Sequence, residues 1–91
     1  MKVQDLTEED SIERELMLVK LKTNTASQEA LKPLLSQYRV QIVDENPKVV
    51  TLECAESRGN TKKLFQVFKS LGIVEMAQTG AVALSKKPPK D

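Results

Sequence analysis

Nucleophilic, acid–base and metal chemistry each need a set of side chains, and this sequence does not bring one together. It contains no histidine. The side chain that titrates near neutral pH, and with it the commonest general base and metal ligand, is therefore missing. The single cysteine, Cys54, shares an alternation face with Val50 and Leu52 and is expected to pack as a small apolar residue, not to act as a nucleophile. One cysteine makes neither an internal disulfide nor a thiolate cluster. Asp44, Glu53 and Glu75 are isolated carboxylates whose spacing pairs none of them as acid and base. A phosphate-cradling hydrolase would need a glycine-rich loop with an arginine after its first strand. Lys22-Thr23-Asn24-Thr25 supplies neither, and Arg14 precedes the strand. Glu13-Arg14-Glu15 is a dense charged string, either a solvated cluster or an ion-pair motif presented to a partner. The expectation is no catalytic residue, no bound cofactor and no metal.

Composition narrows the class further. At 91 residues the chain has room for one core. Lys and Arg number 14 against 13 Asp and Glu, a formal charge of +1, which does not suit a phosphate backbone or an anionic membrane. Hydrophobic residues at 40% and charged residues at 30% are the proportions of a globular domain, not of a disordered chain. No apolar run approaches the roughly 18 residues of a membrane span, and Met1-Lys2 leads into acidic residues, unlike a signal peptide. Cytoplasmic placement is expected.

Residues 1–14 are polar and acidic and are expected to form an arm or linker. Glu15 to Lys22 reads as a first strand, with Met17, Val19 and Leu21 on one face and Leu16, Leu18, Lys20 and Lys22 on the other. Ser27 is a plausible cap for a helix with Leu31, Leu34, Leu35 and Tyr38 at i, i+3, i+4 and i+7. Pro33 conflicts with a regular interior and predicts a distorted first turn or a later start. Val40 to Asp44 and Val49 to Ala55 read as an antiparallel pair across Glu45-Asn46-Pro47-Lys48. After a polar loop, Glu56 to Gly59, either Ser57 or Asn60 caps a second helix with Leu64, Phe65, Phe68 and Leu71 on its apolar stripe, ended by Gly72. Ile73 to Leu84 reads as the last strand, with Gly80 inside it as a bulge or close backbone approach. The tail from residue 86, with Pro88 and Pro89, is expected to be disordered. The order β-α-β-β-α-β over residues 15–85 is the α+β, ferredoxin-like plan: a four-stranded antiparallel sheet with both helices on one face.

Two helices cover one side of such a sheet. Alternation assigns Leu16, Leu18, Val49, Thr51, Ile73 and Ala77 to the other side, and a contiguous aliphatic patch of that kind seldom stays open to water. Burial is worth roughly 1.5–3 kcal/mol for each such side chain at full burial. A second copy of the chain is the simplest cover; the arm or a neighbouring domain is the alternative. RNA-recognition domains of this plan stack bases on aromatics of the two central strands. Here those strands carry no Phe, Tyr or Trp, so no nucleic-acid partner is expected.

Five strings then acquire meaning together: Ile12-Glu13-Arg14-Glu15-Leu16-Met17-Leu18-Val19-Lys20; Tyr38-Arg39-x-x-Ile42-Val43-Asp44; Thr51-Leu52-Glu53; Gly59-Asn60-x-x-Lys63-Leu64; and Gly72-Ile73-x-Glu75-Met76-Ala77-x-Thr79-Gly80-x-Val82-Ala83-Leu84. In this order, over about residues 3 to 85, they resemble the C-terminal domain of the small, regulatory subunit of acetolactate synthase. The resemblance implies a non-catalytic ferredoxin-like domain in a homodimer. It also implies association with a separate thiamine-diphosphate-dependent catalytic (large) subunit that makes acetolactate for branched-chain amino-acid biosynthesis. The family's valine site belongs to a preceding ACT domain, so none is implied within these residues. Glu13, Arg14, Glu15, Thr79 and Gly80 fall in the matching strings and join the apolar face as candidate partner-interface residues. The family usually carries Arg where Gln78 stands and a basic residue where Ala81 stands; Pro33 and a longer loop around Ser57 also depart from it. A ligand-binding regulatory module of the same fold, acting on another enzyme, is the alternative reading.

Overall fold

The computed structural model describes residues 11–89; the acidic run of residues 1–10 and the last two tail residues lie outside them. Seven elements follow in order: β1 (Ser11–Lys22), α1 (Thr25–Gln37), β2 (Val40–Glu45), β3 (Val49–Glu56), α2 (Arg58–Leu71), β4 (Ile73–Gln78) and β5 (Val82–Ser85). The sheet runs β2-β3-β1-β4, with β5 also paired to β1, and all its pairings are antiparallel. This is the ferredoxin-like α+β fold, with its last strand in two pieces.

Period-two alternation builds the core. Met17, Val19 and Leu21 of β1 and Val50, Leu52 and Cys54 of β3 are buried together with Leu31 and Leu34 of α1 and Leu64 and Phe68 of α2. Both helices therefore lie against the same side of the sheet. The register confirms one shared face: Met17 is paired with Cys54, Val19 with Leu52 and Leu21 with Val50.

Local chemistry sets the helix ends. Asn24, not Ser27, caps α1. Its side-chain oxygen accepts from the Ser27 N–H at 2.9 Å, and the Ser27 hydroxyl accepts from the Asn24 N–H at 3.0 Å, a reciprocal capping box. Pro33 sits inside α1 without ending it. It is on the exposed side, where the carbonyl that loses its donor faces water. Ser57 is the only residue between β3 and α2 and caps the helix, so the longer loop expected there is absent. Gly72 ends α2 at φ 95°, a backbone region that side chains with a Cβ rarely enter.

Four features of the strands depart from the alternation reading. β1 already includes Ser11 to Arg14, which pair with β5. The last strand breaks at Thr79-Gly80-Ala81. Finally, Lys20 pairs with Glu75 but Leu21 pairs with Ile73, so Val74 is a bulge in β4. A second bulge, at Val43, interrupts β2 between Ile42 and Asp44. Each extra residue shifts alternation by one, so the side chains on either side of it fall on different faces than simple counting gives.

Candidate subunit interface

The sheet side away from the helices carries Leu16 and Leu18, at 39% and 40% exposure. Their neighbours on this side follow from the register: Ala55 is across from Leu16, and Glu53 and Ala77 flank Leu18. Thr51 and Glu75 flank Lys20, and Val49 is across from Lys22. Lys20 Nζ meets Glu75 Oε1 at 3.0 Å, and Gln41 Nε2 donates to Glu53 Oε1 at 2.7 Å. An aliphatic middle is thus bordered by self-paired polar groups. A shallow depression of about 240 Å³ opens among Leu18, Thr51, Ala77 and Glu75.

Leu16, Leu18, Val49, Thr51 and Ala77 lie together on this side. Ile73 does not. The Val74 bulge turns it to the helix side, where it packs against the core beside Met76. The alternation that grouped it with Ala77 counted through a residue the ladder skips.

Glu13 and Glu15 also face the helices. Glu13 Oε1 accepts from the Arg58 N–H at 3.0 Å, satisfying a backbone donor of the first turn of α2. Glu15 is buried. Its Oε1 accepts from Gln78 Nε2 at 3.1 Å and its Oε2 lies 3.6 Å from Arg58 Nε. The two carboxylates clamp β1 to the positive end of α2 and are not displayed on the open side. Arg14, between them in sequence, lies in register with the open side, across from Val82, and donates from Nη1 to the Glu13 carbonyl at 2.7 Å.

Thr79 spans the break between β4 and β5. Its N–H donates to the Leu16 carbonyl at 2.9 Å, and its hydroxyl accepts from the Leu16 N–H at 3.0 Å. Gly80 makes no close approach: a Cβ built on it would meet nothing within 4 Å, and its φ is not in the left-handed region.

A third carboxylate stands near the same helix end. Glu56 is buried; burial pushes its pKa up, but donors outweigh this. The Arg39 N–H reaches Oε2 at 2.6 Å and Asn60 Nδ2 reaches Oε1 at 3.0 Å. With the Arg39 guanidinium also near, the pKa settles below its ordinary 4.5. Cys54 is fully buried, and burial, reinforced by the charges of Glu56 and Glu53, pushes its thiol up to about 12. Such a thiol is a packing group. Among the described residues no group of three or more His, Cys, Asp or Glu is placed to hold a metal ion, and no helix is long and apolar enough to cross a membrane.

Periodicity pointed to the sheet side but missed its extension. Val82 and Leu84, 70% and 77% exposed, and Ile12 at 50% continue the same side along the β1–β5 pair. The i, i+2 spacing of Val82 and Leu84 is visible in the sequence, but the polar, acidic composition before Glu15 gives no sign of a strand for β5 to pair with.

The family profile described as the small subunit of acetolactate synthase matches residues 14–87. The chain is 32% identical over 88 residues to the acetolactate synthase small subunit of Mycobacterium bovis, covering 97% of this chain and 52% of that protein. Against the small subunit of Aquifex aeolicus it is 35% identical over 89 residues, covering 96% of this chain and 46% of the relative. The chloroplastic small subunit 2 of Arabidopsis thaliana is 34% identical over 87 residues, 96% of this chain and 18% of that protein. Among solved structures, the acetolactate synthase small subunit of Thermotoga maritima superposes with a TM-score of 0.78 at 25% identity, over 93% of this chain and 52% of that one. The chain therefore spans about half the length of its bacterial relatives, and the match is to the small subunit of the synthase, not to a catalytic chain. On this footing the chain belongs to the acetolactate synthase small-subunit family.

Proposed function

We propose that this chain is a non-catalytic, dimerising regulatory domain that supports the thiamine-diphosphate-dependent catalytic subunit of acetolactate synthase in branched-chain amino-acid biosynthesis, in the cytoplasm. Family membership supports the synthase as the partner. The observation that carries the dimer is the open sheet side, where Leu16 and Leu18 stand two-fifths exposed in the middle of the longest described strand, with Ala55 across from Leu16 and Ala77 across from Leu18. Burying such a surface against protein is favourable by about 25 cal/mol per Å² of apolar area.

The edges of the sheet favour this side over strand-to-strand addition. β2 and β4 are the edge strands of the main path, and each carries a bulge. A bulge breaks the regular row of donors and acceptors that an added strand would need. The test is to mix the chain with a cognate catalytic subunit, then measure co-elution and acetolactate formation. Co-elution with raised turnover is the expected result; neither co-elution nor a change in rate would remove the partnership.

A further inference from the structure

α2 carries Arg58, Lys62, Lys63 and Lys69 and no acidic residue. Arg58, Lys62 and Lys69 form a row with Phe65, because the spacing i, i+4, i+7, i+11 returns to one line along a 3.6-residue helix. The buried residues Thr61, Leu64 and Phe68 define a different line. Phe65 is therefore turned aside from the core and is only half-buried. It lines a groove of about 380 Å³ with Lys62, Gln66, Met76 and Gln78. The far wall of that groove is neutral: β4 turns Ile73, Met76 and Gln78 to the helix side.

Local chemistry does not account for the row. An exposed helix gains from an acid four residues from a base, and like charges at that spacing cost stability. Arg58 and Lys62 are like charges at that spacing. Lys69 suits the negative end of the helix, but Lys62 has no such reason. Lys20 and Lys32 each meet a carboxylate, Glu75 and Glu29. Among the described residues Lys62 and Lys69 have none within ion-pair distance. Arg58 lies beside Glu15 yet keeps 59% of its side chain exposed. Local rules broken without local compensation are expected at functional sites.

We infer that this row is where the catalytic subunit docks, through an acidic segment of that subunit with an apolar side chain between its carboxylates. This rests on the partnership proposed above and assigns it a surface. The row spans eleven residues of helix, about 17 Å, with cations at both ends and an apolar groove between them. An apolar centre inside a charged rim is the anatomy of a protein interface, and opposite charge on the partner fixes its register. A phosphate surface would suit the cations but leave the Phe65–Met76 floor unfilled. A net charge of +1 also supplies no wider field to hold a polyanion. The row lies on the helix side of the sheet, away from Leu16 and Leu18, so it stays open in each copy of the dimer.

Charge substitution tests the row. The cognate catalytic subunit is titrated with the full chain and its variants by calorimetry at low and high salt, and each variant alone is checked by circular dichroism and sedimentation equilibrium. The double variant Lys62→Glu, Lys69→Glu weakens binding at least about tenfold while its spectrum and sedimentation match the unaltered chain. Gln66→Lys adds a cation at the groove and tightens binding. Both effects shrink as salt rises. Lys63→Glu makes the same charge change on the next flank of the helix and costs far less than Lys62→Glu. Equal losses from those two single variants would reduce the effect to net charge and overturn the assignment. Binding that ignores the double variant overturns the α2 site and leaves the partnership standing. Failure of the unaltered chain to bind overturns both. A chain that holds a short DNA duplex as tightly as the catalytic subunit assigns the row to phosphate and overturns the inference.

Discussion

Thr79 and Leu16 make the backbone pairing that holds the divided last strand to β1. Leu16 donates to the Thr79 hydroxyl at 3.0 Å and accepts from the Thr79 N–H at 2.9 Å. A side chain thus stands in for a ladder carbonyl where the main chain leaves register between Gln78 and Val82. Thr79→Val keeps the shape and removes the acceptor. Because the site is exposed, water replaces part of what is lost, and the expected cost is about 1 kcal/mol in urea unfolding. Amide exchange at Val82 and Leu84 should accelerate more than exchange at Val19 or Leu52. Equal acceleration at all four would mean that Thr79 does not fasten β5 to β1.

The two sides of the sheet should respond differently to substitution. Leu16→Asp and Leu18→Asp place a carboxylate on the open side, where both side chains already touch water, so the circular dichroism spectrum and helix-side core should survive while the sedimenting species shifts to monomer. Leu52→Ala, on the buried side, should instead cost about 2–5 kcal/mol in unfolding free energy. If both aspartate variants sediment as the unaltered dimer, the open side is not the interface.

Much of this architecture was legible because alternation in β1 and β3 and the stripe of α2 are uninterrupted: Met17, Val19, Leu21, Val50, Leu52, Leu64 and Phe68 are all buried. The resemblance strings pointed to the same fold. What failed was counting through irregularities. Val74 and Val43 are ordinary strand residues by type, and nothing in their identity marks them as bulges. A single skipped residue sent Ile73 to the core side, although it is separated from Ala77 by an even number of positions. At Gly80 the two readings of a strand glycine part: no backbone approaches it closely, but three residues, Thr79, Gly80 and Ala81, stand opposite two of β1, so the last strand gains an extra residue there. Glu13 and Glu15 were invisible as clamps because their acceptors' partners, Arg58 and Gln78, are more than forty positions away.

Acid should weaken the fold through Glu56. Its pKa is lower in the folded chain than the ordinary 4.5, so below that value the unfolded chain binds the proton first. The stabilisation is therefore complete above about pH 5 and drains away as pH falls through 4.5 toward the folded value. Glu56→Gln removes this dependence and, by weakening hydrogen bonds to a charged acceptor, costs about 1.5–3 kcal/mol at neutral pH. Melting temperatures measured from pH 7 to pH 3 should converge for the two proteins at the acid end. A constant gap across the range would assign the acid sensitivity to other carboxylates.

Cys54 offers a probe of global opening. Its thiol, fully buried and pushed up to about 12, presents almost no thiolate at neutral pH, and the thiolate is the reactive form. An aromatic disulfide reagent should leave the folded chain unlabelled and modify it promptly in concentrated urea. In native buffer the slow labelling rate should scale with the equilibrium population of the unfolded chain, so Leu52→Ala accelerates it by the factor its lost stability predicts. Leu16→Asp should accelerate it only as far as loss of the dimer lowers stability, an increment that shrinks as the chain is diluted. Rapid labelling of the unaltered chain would place Cys54 beside a local opening of β3 and contradict its position at the centre of the sheet.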